Sequence, residues 1–340
     1  MKFSLKGIHS QDDTAEDQDF VDFYSRDDSA KTLASTPGSY RYENGRRYHS
    51  YRDGAYWGPN DDKDSHHQTI THHLYCLTLD DRLFLAPLSD PQNVVDIGTG
   101  RGLWAMDFAD QFPNANVIGT DLSPVWEPVV QPNLRFEVDD CCSEWTYPPD
   151  TRERFDFIHM RGLYGSVADW PKLYKDCINH LTPGGYFEQA EITIKPLSDD
   201  GTLREDSPLH KYYEIGIEAQ KITGKRVNIV ETMRQDIINA GFLHVVETRF
   251  KWPVGPWSSD PRMKEIGRWM RQFWEHGMEG WVLALCTRHL EWEIEDVRSL
   301  ISKTREALHD PKIHAYFEVS IVYGRKPFDS PSPTADESAN

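Results

Sequence analysis

The chain has 340 residues, 38% of them hydrophobic, enough to bury one large core or two modest ones, and its 55 acidic against 37 basic residues give a formal net charge of −18. That balance argues against a surface for nucleic-acid phosphates or for an anionic membrane, both of which call for clustered Lys and Arg, and it fits a small or cationic ligand. The five cysteines, Cys76, Cys141, Cys142, Cys177 and Cys286, form no C-x-x-C pair and no zinc-spaced cluster, which fits a reducing compartment. With no apolar run near the ~20 residues of a membrane span and no signal-peptide pattern, the expected location is the cytoplasm, with the nucleus as the alternative.

Residues 1–20 carry Asp12, Asp13, Glu16, Asp17 and Asp19 with few apolar partners, and are predicted to be disordered. An extension, 21–91, follows as a candidate lid. Its stretch RYENGRRYHSYRDGAYWGPND predicts turns, and HHQTITHHLYCLTLDDRLFLAP predicts a helix with Ile70, Leu74 and Leu77 near helical spacing. No two of His66, His67, His72 and His73 are three or four residues apart, so they are read as side chains on a polar face and no metal is assigned.

From Asn93 short apolar runs alternate with helical stretches. NVVDIG, NVIGTD, LRFEVDD, FDFIHMR and YFEQAEI predict strands; LWAMDFADQF and WPKLYKDCINHL predict helices, the second ending in the turn TPGG. That alternation predicts βαβ units and a mostly parallel sheet. FLHVVETRF and AYFEVSIVYG predict two antiparallel strands enclosing a helical insert at about 255–312. Within or beside the insert stand Trp252, Trp257, Trp269, Trp274 and Trp281, and Met263, Ile266, Trp269, Met270, Phe273 and Trp274 follow helical spacing. Such a helix either caps an apolar acceptor or packs on the sheet, and eleven Trp in all favour an apolar or aromatic small molecule. The main domain is placed at 92–326, and the tail 327–340 is predicted to be disordered.

The loop Asp96-Ile97-Gly98-Thr99-Gly100-Arg101-Gly102-Leu103 follows the first strand of that domain, where α/β sheets bind ligands. A dinucleotide fingerprint would put a small residue where Leu103 stands, whereas an acid two residues before the first glycine suits a ligand with a positively charged amino-acid moiety. Asp121 closes the next strand, where a carboxylate can accept both hydroxyls of a ribose. Asp139 and Asp140 close the one after, where a carboxylate can accept from an adenine amino group while the Cys141 amide donates to the ring.

DIGTGRG, GTDLS, FEVDD and LTPGGYFE, in that order, resemble the class I methyltransferases that use S-adenosylmethionine. YRYENGRRYHSY, HHLYCLTLDDRLFLAP, HMRGLYGSVADWPKLYKDCINHLTPGGYFEQAE and HAYFEVSIVYGRKP extend the likeness, over roughly residues 20–326, to the LaeA-like methyltransferases of filamentous fungi. The resemblance implies a Rossmann-like α/β fold: a seven-stranded, mostly parallel sheet with an antiparallel last strand, an N-terminal extension over the cofactor and a helical cap insert. It places Asp96, Gly98, Thr99, Gly100 and Gly102 at the methionine portion of S-adenosylmethionine, Asp121 and Leu122 at the ribose, and Asp139, Asp140 and Cys141 at the adenine. Tyr48 and Arg161 join this cofactor set; Arg46, Arg47, Tyr48 and His49 either close over the cofactor carboxylate or form a surface loop held by ordinary salt bridges. Arg101, Cys141 and Cys142 depart from the similar sequences.

Methyl transfer from a sulfonium needs positioning and exclusion of water more than covalent help. A general base helps a hydroxyl acceptor, and the candidates are His159, Arg161, Tyr164, Glu188 and Glu191; the bland reading has His159 and Glu188 facing solvent and Tyr164 packed. The expected function is methylation of a small-molecule acceptor in fungal secondary metabolism. The alternative is a LaeA-like regulator working with a protein partner in a nuclear complex.

Overall fold

The computed structural model describes residues 40–49, 56–127, 130–147 and 154–328. The predicted disordered segment 1–20, residues 21–39 of the extension and nearly all of the tail lie outside the described residues. A short hairpin comes first: β1 (Arg41–Glu43) and β2 (Arg46–Tyr48) turn on Asn44 and Gly45, both with positive φ, the geometry that Asn-Gly supplies to a tight β-turn. Helix α1 (Asp62–Thr78) then starts where the Asp61 side chain accepts from the Asp64 N–H. It ends at Thr78, short of the predicted stretch, because Asp80 and Asp81 both adopt the left-handed conformation, which no helix continues through.

The central strands are β3 (Asn93–Ile97), β4 (Asn116–Asp121), β5 (Leu134–Val138), β6 (Phe155–Arg161), β7 (Leu181–Ile192), β8 (Leu243–Pro253) and β9 (Tyr316–Arg325). They form one seven-stranded sheet in the order β5-β4-β3-β6-β7-β9-β8. The pairs β3–β4, β4–β5, β3–β6 and β6–β7 are parallel, and β9 is antiparallel to both β7 and β8. This is the Rossmann-like arrangement that the resemblance implies, and its strand order reverses between β3 and β6, the crevice where such sheets bind ligands. TPGG is not a free turn before β7 but a register shift inside it, between the Leu181 and Tyr186 pairings.

Both faces of the sheet are covered. Helix α2 (Leu103–Gln111) packs Trp104 and Phe108 onto Val94, Val117 and Phe157. Helices α3 (Trp170–His180) and α5 (Met233–Asn239) put Trp170, Leu173, Tyr174, Met233 and Ile237 against Ile158, Met160 and Phe187 on the other side. A third core joins α1, α4 (Pro208–Thr223), α6 (Pro261–Ala284) and α7 (Ile294–His309) over the β7–β9–β8 end, with Trp252, Phe273, Trp274 and Phe317 at its centre. The extension from Tyr40 and the sheet belong to one unit. Arg288, in the π turn that ends α6, fastens the hairpin by an ion pair to Glu43 (2.8 Å) and by lying 4.2 Å above the Tyr48 ring. Among the described residues no helix is long and apolar enough to cross a membrane.

Gly102 caps α2 in the left-handed conformation (φ 81°), and a Cβ there would collide with the Phe136 ring. Gly102→Val is therefore expected to lower the unfolding free energy by roughly 2–4 kcal/mol. Urea denaturation checks this, and an unchanged midpoint refutes it.

Candidate active site

The glycine loop is held from beneath. Asp96, at the end of β3 and 3% exposed, accepts from His159 Nδ1 (2.7 Å) and from the Thr99 hydroxyl (2.6 Å). The His159 ring lies flat on Trp104, with centroids 3.8 Å apart and planes 4° off parallel. Beside it Asp121, ending β4, accepts from the Gly100 N–H (2.9 Å) and the Ser123 N–H (3.0 Å). Burial pushes the Asp121 carboxyl up, and those backbone donors pull it back. After β5, Asp139 accepts from the Asp140 N–H, and Asp140 from the Cys142 N–H and the Ser143 hydroxyl.

Asp96, Asp121 and Asp140 line one cavity of about 340 Å³, together with Gly98, Thr99, Gly100, Leu122, Asp139 and Cys141. Its opposite wall is α1, which contributes Asp64, His67, Gln68, Thr71 and Tyr75, positions that share one helix face. Gln68 Oε1 accepts from the Arg101 N–H at 2.9 Å while Gln68 Nε2 donates to Asp64 at 2.6 Å. Burial lifts the Asp64 carboxyl to about 7. The far end is closed by Trp57, Trp252, Phe273, His276 and Trp281, and it adjoins a smaller lobe of about 80 Å³ lined by Tyr164, Tyr212, Met270 and Trp274.

Arg161 and Tyr164 reach the cavity wall. Arg161 donates to His72 Nδ1 (3.1 Å) and lies 4.7 Å over the Tyr75 ring. His159 and Glu188 do not line the cavity, and neither faces solvent: they are 2% and 1% exposed. His159 is spent on Asp96 and Trp104, while Glu188 accepts from the N–H groups of Leu85 and Ala86 (2.8 and 2.7 Å) and so ties the end of the extension to β7. Glu191 is likewise structural, receiving the Leu163 and Tyr164 N–H groups and setting the turn that carries Tyr164. Gly102 and Tyr48 also stay off the cavity, the one packed on Phe136 and the other beneath Arg288.

Arg46 lines the cavity, yet its guanidinium is 3% exposed and forks onto Asp61 (2.6 and 2.9 Å) with Glu279 beyond (3.3 Å), while Arg47 binds Asn60. The ENGRRYH stretch is thus a brace between hairpin, α1 and α6. The four histidines of α1 are not a polar face either: His67 is 8% exposed, His66 meets His276, His73 meets Trp269, and His72 donates to Asp107 (3.0 Å). His72, Cys76 and Asp107 converge as a metal set would, and Cys76, at i+4 from His72, is the partner that counting histidines alone misses. A cation there would face the Arg161 guanidinium and a thiol that burial pushes up to about 11. Asp64, His67, Gln68 and Trp57 were not foreseen at the site; the polar stripe Asp64, Gln68, Thr71 on a helix with an apolar side was the available signal.

Sheet order, the antiparallel β9 and a glycine loop at the switch point define a class, the Rossmann-like methyltransferases. The profile of a family described as "Methyltransferase domain" matches residues 70–226. The chain is 40% identical over 305 residues to methyltransferase pytC of Aspergillus terreus, covering 89% of this chain and 93% of that one. It is 37% identical to the secondary metabolism regulator LAE1 of Cochliobolus heterostrophus (84% and 94% covered) and 32% identical to the probable methyltransferase tdiE of Emericella nidulans (90% and 95% covered). The chain belongs to the LaeA-like family of class I methyltransferases.

Glu188 gives the extension's anchor a pH dependence. Burial lifts its carboxyl to about 7 against the pull of two N–H donors. A raised acid stabilises the fold while protonated, so its contribution is complete below the ordinary glutamate range and is lost as pH rises through about 7. Glu188→Gln keeps an acceptor oxygen and cannot ionise. Between about pH 5 and about pH 8 its unfolding free energy should fall by roughly 3 kcal/mol less than the wild type's, and equal falls would contradict the assignment.

Proposed function

We propose that this methyltransferase takes its methyl group from S-adenosylmethionine, held in the 340 Å³ cavity, and passes it to a small neutral aromatic or apolar acceptor. The observation that carries this reading is the convergence of Asp96, Asp121 and Asp140, from three strand ends, on one cavity with the glycine loop. The donor set fits a cationic nucleoside. Five carboxylates line the cavity, counting Asp64 and Asp139, against Arg46, Arg101, Arg161 and Lys225; the arginines are engaged with Asp61, Glu127 and His72, and Lys225 lies near Asp140.

In this reading Asp96, Gly98, Thr99 and Gly100 surround the amino-acid end, Asp121 and Leu122 receive the ribose, and Asp140 and Cys141 the adenine. Gly102 acts through the shape of the loop, and Arg161 and Tyr164 stand between cofactor and acceptor. The bound cofactor supplies an electrophilic methyl group; the chain's part is to orient the acceptor and exclude water. The aromatic lobe beyond Tyr164, walled by Trp57, Tyr212, Trp274 and Trp281, suits a neutral flat acceptor.

A regulatory reading is favoured by the relative named as a secondary metabolism regulator. Methyl-labelled S-adenosylmethionine, incubated with the protein and either a metabolite extract or a protein extract, separates the two. Label entering the small-molecule pool is expected; label confined to protein supports the regulatory reading. For the cofactor itself, Asp121→Ala should weaken binding of S-adenosylmethionine at least tenfold, about 1.4 kcal/mol, by calorimetry. Unchanged affinity would remove Asp121 from the site.

A further inference from the structure

The five cysteines differ in what surrounds them, and one stands apart. Burial pushes the thiols of Cys76, Cys177 and Cys286 up, Cys76 to about 11 and Cys286 to about 12, so all three hold their protons. Cys142 is the exposed one of the five. It lines the cavity at the Asp140 end, and its sulfur, the Cys141 sulfur and an Asp140 carboxylate oxygen all lie within 4.8 Å of one another. The cofactor reading gives Cys141 a part and leaves the Cys142 side chain without one.

The fold holds that sulfur at the cavity rim. Asp140 closes the turn that carries it, accepting from the Cys142 N–H at 2.9 Å and the Ser143 hydroxyl at 3.0 Å, while the Ser143 N–H donates to the Asp140 carbonyl at 2.8 Å. Two ammonium groups stand near. Lys172 of α3 donates to the Ser143 carbonyl at 3.3 Å, and Lys225, just past the end of α4, lines the same stretch of cavity. A hydrogen bond from the Cys141 thiol, with the Lys225 charge and the Ala168 N–H, brings the Cys142 thiol below its ordinary range against the opposing burial and Asp140 charge. An accessible sulfur among such donors is the setting of a reactive cysteine, and the other four cysteines lack it.

We infer that Cys142 is a modification site, whose thiolate exchanges with a small anionic disulfide such as glutathione disulfide to leave a mixed disulfide across the adenine end of the cavity. The Cys142 sulfur attacks one sulfur of the disulfide; the new protein–glutathione S–S bond forms as the old S–S bond breaks, and one glutathione leaves as thiolate and takes up the proton that Cys142 gave up. Lys172 and Lys225 suit the carboxylates of the incoming peptide. The attached tripeptide occupies the rim beside Asp140 and Cys141, so the modified chain cannot seat a nucleoside there until a thiol removes it. That consequence rests on the proposed cofactor site; the reactivity of Cys142 does not.

The test treats the full, reduced chain with glutathione disulfide, maps adducts by mass spectrometry and then titrates S-adenosylhomocysteine. Cys142 should carry the first adduct, at least about tenfold faster than any other cysteine. Affinity for S-adenosylhomocysteine should fall at least tenfold and return with dithiothreitol, and saturating S-adenosylhomocysteine should protect Cys142 in turn. Cys142→Ser, which keeps the N–H that Asp140 uses, should bind S-adenosylhomocysteine equally with and without the treatment. No adduct, a first adduct on another cysteine, a product that joins Cys141 to Cys142 with no glutathione attached, or a Cys142 adduct that leaves the affinity unchanged overturns the inference. Failure of the untreated wild type to bind S-adenosylhomocysteine overturns the cofactor reading instead, while the adduct map still judges Cys142.

Discussion

The amide of Gln68 decides whether the extension can close over the sheet at all. Burying a glycine loop beneath a helix strands backbone N–H groups, and a stranded donor costs about 1–3 kcal/mol. Gln68 answers one of them, the Arg101 N–H, and its other end is held by Asp64, so a neutral group joins a backbone dipole to a half-buried acid. The approach is so close that a Cβ on Gly100 would overlap the Gln68 oxygen. A side chain at 100 would have to displace that amide and hold a left-handed backbone (φ 57°), so glycine at 100 and an acceptor at 68 together let α1 lie on the loop.

From that contact the remaining architecture follows. Helix α1 meets the loop with one face and α6 with another, so the insert between β8 and β9 reaches the cavity through the extension and not only across the sheet. Arg46, Asp61 and Glu279 link hairpin, α1 and α6 with charge, and Trp252 donates to the Thr78 hydroxyl at 2.7 Å where α1 meets β8. The cavity so enclosed holds more carboxylates than unengaged cations among its described residues. Burial raises Asp64 and Asp121, neighbouring carboxylates add to the rise while Arg46 opposes it at Asp64, and a cationic ligand would relieve it.

Much of this could be read in the sequence, and the parts that could not have physical reasons. Period and turn chemistry place the strands from Asn93 onward, because a buried parallel strand leaves a short apolar run whatever it packs against. The strand-end acids were visible as Asp96, Asp121 and Asp140 because their positions follow from chain order. What single positions do depends on burial, which spacing does not carry: His159 and Glu188 looked like strand residues open to solvent, and the fold spends both as buried hydrogen-bonding partners. The α1 histidines misled for the same reason, since they lie against α6 and α2 and not on the polar stripe of Asp64, Gln68 and Thr71. Tyr48 and the arginines beside it mark the family strongly yet act as a brace, so a distinctive stretch need not touch the ligand.

The most direct measurement is a crystal structure of the chain with S-adenosylhomocysteine. The predicted result is a nucleoside between the Gly98–Arg101 loop and α1, its ribose on Asp121, its purine beside Asp140 and its thioether end toward His67 and Tyr164. A nucleoside bound anywhere else, or a loop that binds it only after α1 has been displaced, would contradict the claim that this cavity was shaped for it.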